Sequence, residues 1–311
     1  MSKLDNIHDK FFKKTFSDIR NVKDFLYTAL PAELQKHIDF DNLDIEPNSY
    51  IENNVKEYYS DVVIKSKIKK SCIEADLYIL FEHKSYHDKG IFIQLLHYMY
   101  LMWKKDFHNK KPLRVIIPVV FYHGKKKWDI PLNFLIQFNI NEEIKKYLLD
   151  FSYILFDTKD WNFEKDSNTA LKNNVFLLTS LLLMKAAFNN DINAIKQIFD
   201  FWVQKGFIND IDSILFFFIY ITATKDITQD KLEQLLEDSK FERSDIMPTL
   251  AQRWIEQGFE KGIEKGKLKG RLEGEKEKSI VIARNLLQKG FDKQFIIEVT
   301  GLNEQDIEKL K

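Results

Sequence analysis

The chain has 311 residues, with 47 basic and 47 acidic side chains and 44% hydrophobic residues. A zero formal charge excludes a molecule-wide basic field, so any grip on nucleic acid must come from local patches. One cysteine, Cys72, excludes an intramolecular disulfide, and the apolar runs Val175–Met184 and Ile214–Ile221 are shorter than the roughly 20 residues of a spanning helix, so we expect a cytoplasmic protein without membrane contact.

In chain order, residues 4–30 read as one helix, with Phe11, Phe12, Phe16, Phe25, Leu26 and Leu30 as its apolar positions. Leu30-Pro31 should stop it, because the residue before proline is pushed out of the helical region. His8-Asp9 is a possible cap. A short helix is expected near Ala32–His37, then polar irregular chain over 39–57. Residues 60–68 are β-branched and partly alternating, and Ile73–His83 is more apolar. Joined by a turn at Lys69-Lys70-Ser71, they predict an antiparallel hairpin. Residues 88–107 predict a helix. Leu113–Tyr122 predicts a third strand, in which Pro118 suggests a bulge or unpaired stretch. It ends at His123-Gly124, where glycine suits a tight turn. The order is that of an α/β or α+β core.

Four more helices are expected at Leu171–Phe188, Ala194–Lys205, Ile211–Thr224 and Lys231–Leu236, a layer packed on the core. Glycines then recur every four residues at 258, 262, 266, 270 and 274. Each costs a helix about 1 kcal/mol relative to alanine. The tract is either a solvated linker or a stem for close self-association. Ile280–Gln288 and Lys293–Val299 follow as short helices, with Gly290 as a stop and Asn303 as a cap for a last one. The tail resembles a small helix-turn-helix unit. The expected division is 1–160, 161–255, 256–279 and 280–311.

The segment with chemistry runs from Asp61 to Lys84. Side chains two apart on a strand share a face, so Glu82 and Lys84 should converge while His83 turns away. In a hairpin, Asp61 at the start of one strand lies beside Glu82 at the end of the next. Two carboxylates suit Mg²⁺ or Mn²⁺, which prefer oxygen ligands, and such an ion would activate water and neutralise a scissile phosphate. Lys84 would orient that water or stabilise developing charge. The spacing alone is also met by solvated ion pairs at a strand end.

Several motifs occur in order: His8-Asp9-Lys10-Phe11-Phe12, Ser60-Asp61-Val62-Val63, Phe81-Glu82-His83-Lys84-Ser85, Gln94 through Trp103, and Phe121-Tyr122-His123-Gly124 with Trp128. Together with the glycine repeat and the tail, they resemble the recombination-promoting nuclease (Rpn), transposase-like family of the PD-(D/E)XK superfamily. The resemblance implies an α/β, restriction-endonuclease-like core, its mixed sheet flanked by helices, then a helical region and helical tail. It implies Asp61 and Glu82 as metal ligands, Lys84 as the catalytic lysine, and Gln94 as a supporting glutamine. Many relatives resemble Glu-His-Gln at 82–84 and arginine at 94. The implied activity is Mg²⁺-dependent DNA cleavage (Mn²⁺ also suits), with low sequence specificity, linked to recombination or mobile elements. The alternative is a catalytically silent DNA-binding or assembly protein that oligomerises through 256–279. Lys65, Lys67, Lys69 and Lys70, then Lys104, Lys105, Lys110, Lys111 and Arg114, then Lys125–Lys127 are expected to flank the site and track a DNA backbone.

Overall fold

A computed structural model of the chain describes residues 3–46, 62–68, 76–166, 168–188, 192–225, 227–241, 278–303 and 306–307. The chain divides into two compact units, Met1–Glu242 and Arg243–Lys311.

The first unit is built on a mixed five-stranded sheet of order β1-β2-β3-β4-β5. The strands are β1 (Asp44–Glu46), β2 (Val62–Lys67), β3 (Asp76–Lys84), β4 (Val115–Tyr122) and β5 (Ile154–Asp157). β1, β2 and β3 pair antiparallel, whereas β3, β4 and β5 pair parallel. A parallel neighbour needs a crossover, and α4 (Ile91–His108) supplies it between β3 and β4. The expected antiparallel pair and third strand are present, and the turn expected at Lys69-Lys70-Ser71 lies outside the described residues. β1 and β5 have three and four residues, too short for alternation to be read.

Pro118 produces no bulge. β4 stays in unbroken register with β3, with Pro118 opposite Leu80. Tyr122 O accepts from Thr158 N beyond β5, and His123 N donates to Lys84 O of β3. Even-numbered residues of β4 therefore turn their main-chain groups toward β5, and that ladder begins at Val119↔Ile154. The missing N–H of Pro118 falls where β5 offers no partner.

Alternation assigns the faces. Val63, Val120 and Tyr122 join the core beneath α4, with Phe92, Leu95, Tyr98, Met99 and Met102. On the other face Phe121 meets Phe12, Phe16 and Phe25. These belong to α1 (Lys3–Thr15) and α2 (Ile19–Ala29), which replace the single expected helix. Asp18 ends the continuity: its carboxylate accepts from Arg20 N at 2.9 Å and caps α2. Asn21 Nδ2 donates to Thr15 O at 2.8 Å, satisfying a carbonyl at the end of α1. Leu30 has extended geometry before Pro31, so α2 stops as expected, and α3 (Ala32–Gln35) follows.

The one-turn helices α5 (Glu142–Lys145) and α6 (Phe163–Asp166) precede and follow β5, and helices of the second half cover α1. They include α7 (Thr169–Asn173), α8 (Val175–Ala186), α9 (Ile192–Lys205), α10 (Ile211–Thr224) and α11 (Gln229–Asp238). The expected helix from Leu171 is broken at Asn174, whose side chain accepts from Leu177 N and caps α8. Phe11 stacks on Tyr220 and Phe216 of α10. No helix among the described residues is long and apolar enough to cross a membrane.

In the second unit, residues 278–288 are helical and form α12, and α13 (Lys293–Thr300) follows. Gly290 and Gly301 adopt positive φ, 83° and 67°, as stops. Asn303 caps the last turn by accepting from Asp306 N at 2.8 Å. The glycine repeat at 258–274 lies outside the described residues.

Candidate active site

Lys84 is the last residue of β3 and is buried, with 4% of its surface exposed. Its Nζ forms an ion pair with Asp88 Oδ2 at 2.8 Å and donates to Gln94 Oε1. Gln94 Nε2 donates to Tyr98 OH at 3.0 Å, which fixes which end of the amide faces the lysine. Asp88 is a joint. Its Oδ1 accepts from Gly90 N at 2.8 Å at the start of α4, while Oδ2 holds the end of β3. The sequence reading missed Asp88. Its signal was its position four residues after Lys84, on the short connection into α4.

Burial is the largest influence on Asp88 and pushes its pKa up. The hydrogen bond and charge of Lys84, the Gly90 N–H and the His87 charge outweigh it and hold the carboxyl below its ordinary value. Asp88 is thus a carboxylate at neutral pH, and Lys84 keeps an anionic partner.

The structure brings Lys84 and Gln94 together. Asp61 lies outside the described residues, and Glu82 is described through its backbone, opposite Val120 in β4. The β2–β3 ladder is in register to Val62↔Phe81. Among the described residues, no group of three or more His, Cys, Asp or Glu could hold a metal ion.

His83 turns to the opposite face, under α1. Its Nδ1 lies 3.0 Å from Asp9 Oδ1, and its Nε2 lies 2.7 Å from His123 Nε2. His8 packs edge-on to His123 and its Nδ1 lies 2.7 Å from Tyr220 OH. His8 and Asp9 fall inside α1, not at its start, so they do not cap it. One proton can sit between His83 and His123. With Asp9 ionised, Nδ1–H of His83 donates to it and Nε2–H of His123 donates to His83. Burial, then the charges of His83 and His8, push His123 far below the ordinary histidine value, against a weaker opposing pull from the Met184 carbonyl.

The basic side chains expected around Lys84 separate in space. β3 and β4 run in register from Leu77↔Val115 to Lys84↔Tyr122. At about 3.3 Å per residue, residues before Val115 lie about 23 Å or more from the Lys84 end. Lys110, Lys111 and Arg114 belong to that far end. Arg114 is also engaged, with Nη2 2.5 Å from Asp106 Oδ1 and Nη1 3.3 Å from Glu46. Lys65 and Lys67 pair with Tyr78 and Asp76, away from Lys84, and Lys69 and Lys70 lie outside the described residues. Lys125–Lys127 are exposed and follow β4 at the Lys84 end.

Residues 6–210 match a family model described as "Putative transposase, YhgA-like". Residues 276–311 match one described as "Rpn/YhgA-like nuclease family, C-terminal HTH domain". The chain is 26% identical over 306 residues to an inactive recombination-promoting nuclease-like protein, RpnE, of Escherichia coli (strain K12), covering 96% of each. It is 26% identical over 304 residues to the recombination-promoting nuclease RpnA of the same strain, covering 96% of this chain and 95% of the relative. RpnD of Escherichia coli O157:H7 is 30% identical over 121 residues, covering 38% of this chain and 46% of the relative. No solved structure matches the chain.

Proposed function

The chain belongs to the Rpn/YhgA-like family, and from that premise we propose that it is a Mg²⁺-dependent DNA endonuclease with a PD-(D/E)XK core and low sequence specificity, linked to recombination. The observation that carries the reading is a buried, charged lysine held at a strand end by Asp88 and Gln94. Burying an ammonium is costly unless it is paired, and here the pairing fixes where the cation points.

Backbone relations support Asp61 and Glu82 as the metal ligands. Val63, two residues after Asp61, belongs to the core on the α4 side, and Lys84, two residues after Glu82, binds α4. Val62 and Phe81, the chain neighbours of Asp61 and Glu82, are paired across β2 and β3. Two carboxylates form a hard oxygen donor set suited to Mg²⁺ or Mn²⁺. Bound there, the ion would lower the pKa of water and polarise the phosphate. Lys84 would place its Nζ against the charge that develops on phosphate oxygens. Gln94 would limit the swing of that Nζ, acting as a positioning residue. Lys125–Lys127, at the same end of the sheet, would contact neighbouring phosphates, and residues 276–311 would add a DNA-binding unit.

A second reading is favoured by one observation: a relative matched over nearly its whole length is named inactive. The chain would then bind DNA and assemble without cutting it. A plasmid-nicking assay decides between them. We expect conversion of supercoiled to open-circular DNA with Mg²⁺ or Mn²⁺ and none with chelator. DNA retardation without nicking under every metal condition selects the silent reading.

A further inference from the structure

α4 carries more apolar surface than the sheet can cover. Twelve of its 18 residues are apolar. One set, including Phe92, Leu95, Tyr98, Met99 and Met102, is buried on the sheet. A second set, Ile93, Leu96, Tyr100, Trp103 and Phe107, follows the alternating three- and four-residue spacing of a coiled-coil seam. Leu96 and Trp103 are half-buried against the core, whereas Ile93, Tyr100 and Phe107 are 64%, 53% and 78% exposed. A surface helix normally confines its apolar residues to one stripe, and a helix apolar on two faces is covered on both.

We propose that this seam is the interface of a homodimer, in which α4 packs antiparallel on α4 of a second copy. Three arguments select that occupant. The repeat is self-complementary: a two-fold axis at Tyr100 sets it against its own copy and sets Ile93 against Phe107 of the other, as an isologous interface requires. The antiparallel sense opposes the two helix dipoles and keeps Lys104, Lys105 and His108, all near one end, from meeting their own copies. The area also suffices. At roughly 200 Å² per large side chain, Ile93, Tyr100 and Phe107 expose about 400 Å². The segment 132–149, anchored beside the first turn of α4 by Phe134 on Phe92, exposes seven more large apolar side chains, among them Ile136 and Tyr147. An interface that extends onto that segment reaches the ~800 Å² that each partner contributes to a standard one, and the α4 seam alone supplies about half of it.

The test uses the full chain. Light scattering after size exclusion should give an assembly of at least twice the 37.0 kDa chain mass, and Tyr100→Glu with Phe107→Lys should halve it. Any association through other segments is left intact by these changes, so the halving is specific to α4. In a Cys72→Ser background, mild oxidation should cross-link Tyr100→Cys to itself. Phe107→Cys should cross-link to Ile93→Cys and not to itself. A monomeric wild type overturns the proposal. So does a mass unchanged by the charged variants, a self-cross-link at position 107 but not at 100, or a loss of DNA binding with the mass retained.

Discussion

Lys84 shows how one buried charge fixes its neighbours. Gln94 turns its carbonyl to the ammonium and its amide to Tyr98, and Asp88 divides its oxygens between Lys84 and the first turn of α4. Asp88→Ala removes the carboxylate that lies 2.8 Å from the buried ammonium. We expect a loss of about 3 kcal/mol, read by denaturant unfolding. Little of this was legible in the sequence. Glu82-His83-Lys84 on an apolar strand marked the place, but the acid that pairs with Lys84 sits on a turn, where no periodicity marks it. His83 was expected to face away from Lys84, and it does. Its bonds to Asp9 and His123 were not foreseen, because they join residues 74 and 40 positions away. His123 offers a separate check. Burial holds its pKa well below the ordinary histidine range, so NMR should show no titration of its ring as pH falls through about 6.5.

Among the elements, those with long, regular patterns were readable. The β2–β3 pair, α4, β4 and α10 stand where alternation or helical spacing put them, within a few residues. Breaks made by single polar side chains were not readable. Asp18 and Asn174 divide apolar runs that read as continuous helices, since a cap is indistinguishable by composition from an exposed helical polar residue. Gly124 was assigned to a tight turn, yet it is not among the glycines with positive φ. The Tyr122 ring occupies the space a Cβ there would need, and Tyr122 OH donates to Lys126 O at 2.6 Å. Gly124→Ala must displace a buried ring, so we expect roughly 2–3 kcal/mol of destabilisation in thermal or urea unfolding.

Arg114 ties the last turn of α4 to the start of β4 and to β1. Arg114→Ala should cost about 3–5 kcal/mol, because buried Asp106 loses the guanidinium that binds both its carboxylate oxygens. Burial is the largest influence on Asp106 and raises its pKa. The hydrogen bonds and charge of Arg114, with Lys111, overcome it and leave the folded value depressed. A depressed carboxyl contributes stability above its unfolded value of about 3.9 and loses it as pH falls through the folded value. The melting temperature of the wild type should therefore fall more steeply below about pH 4 than that of Arg114→Ala.

At the scale of the molecule, the zero net charge hides an uneven distribution. The exposed lysines at 125–127 stand at the Lys84 end of the sheet, and the Arg114 ion network closes the other end. The aromatic packing explains why the second half of the chain belongs with the first. Phe11, on one turn of α1, stacks against Phe216 and Tyr220 of α10, so α1 is held between the sheet and the later helices. The order of elements was legible, but this layering was not, because it depends on contacts some 200 residues apart.

The claim that Lys84 and its partners form the cutting centre is tested most directly by the Mg²⁺-dependent rate of plasmid nicking by Lys84→Ala and Asp61→Ala beside the wild type, each shown to be folded by its melting curve. The wild type should be active and both variants should lose at least about 10²-fold, the scale expected on removing a group that stabilises developing charge. Folded variants that nick plasmid at the wild-type rate would contradict that claim.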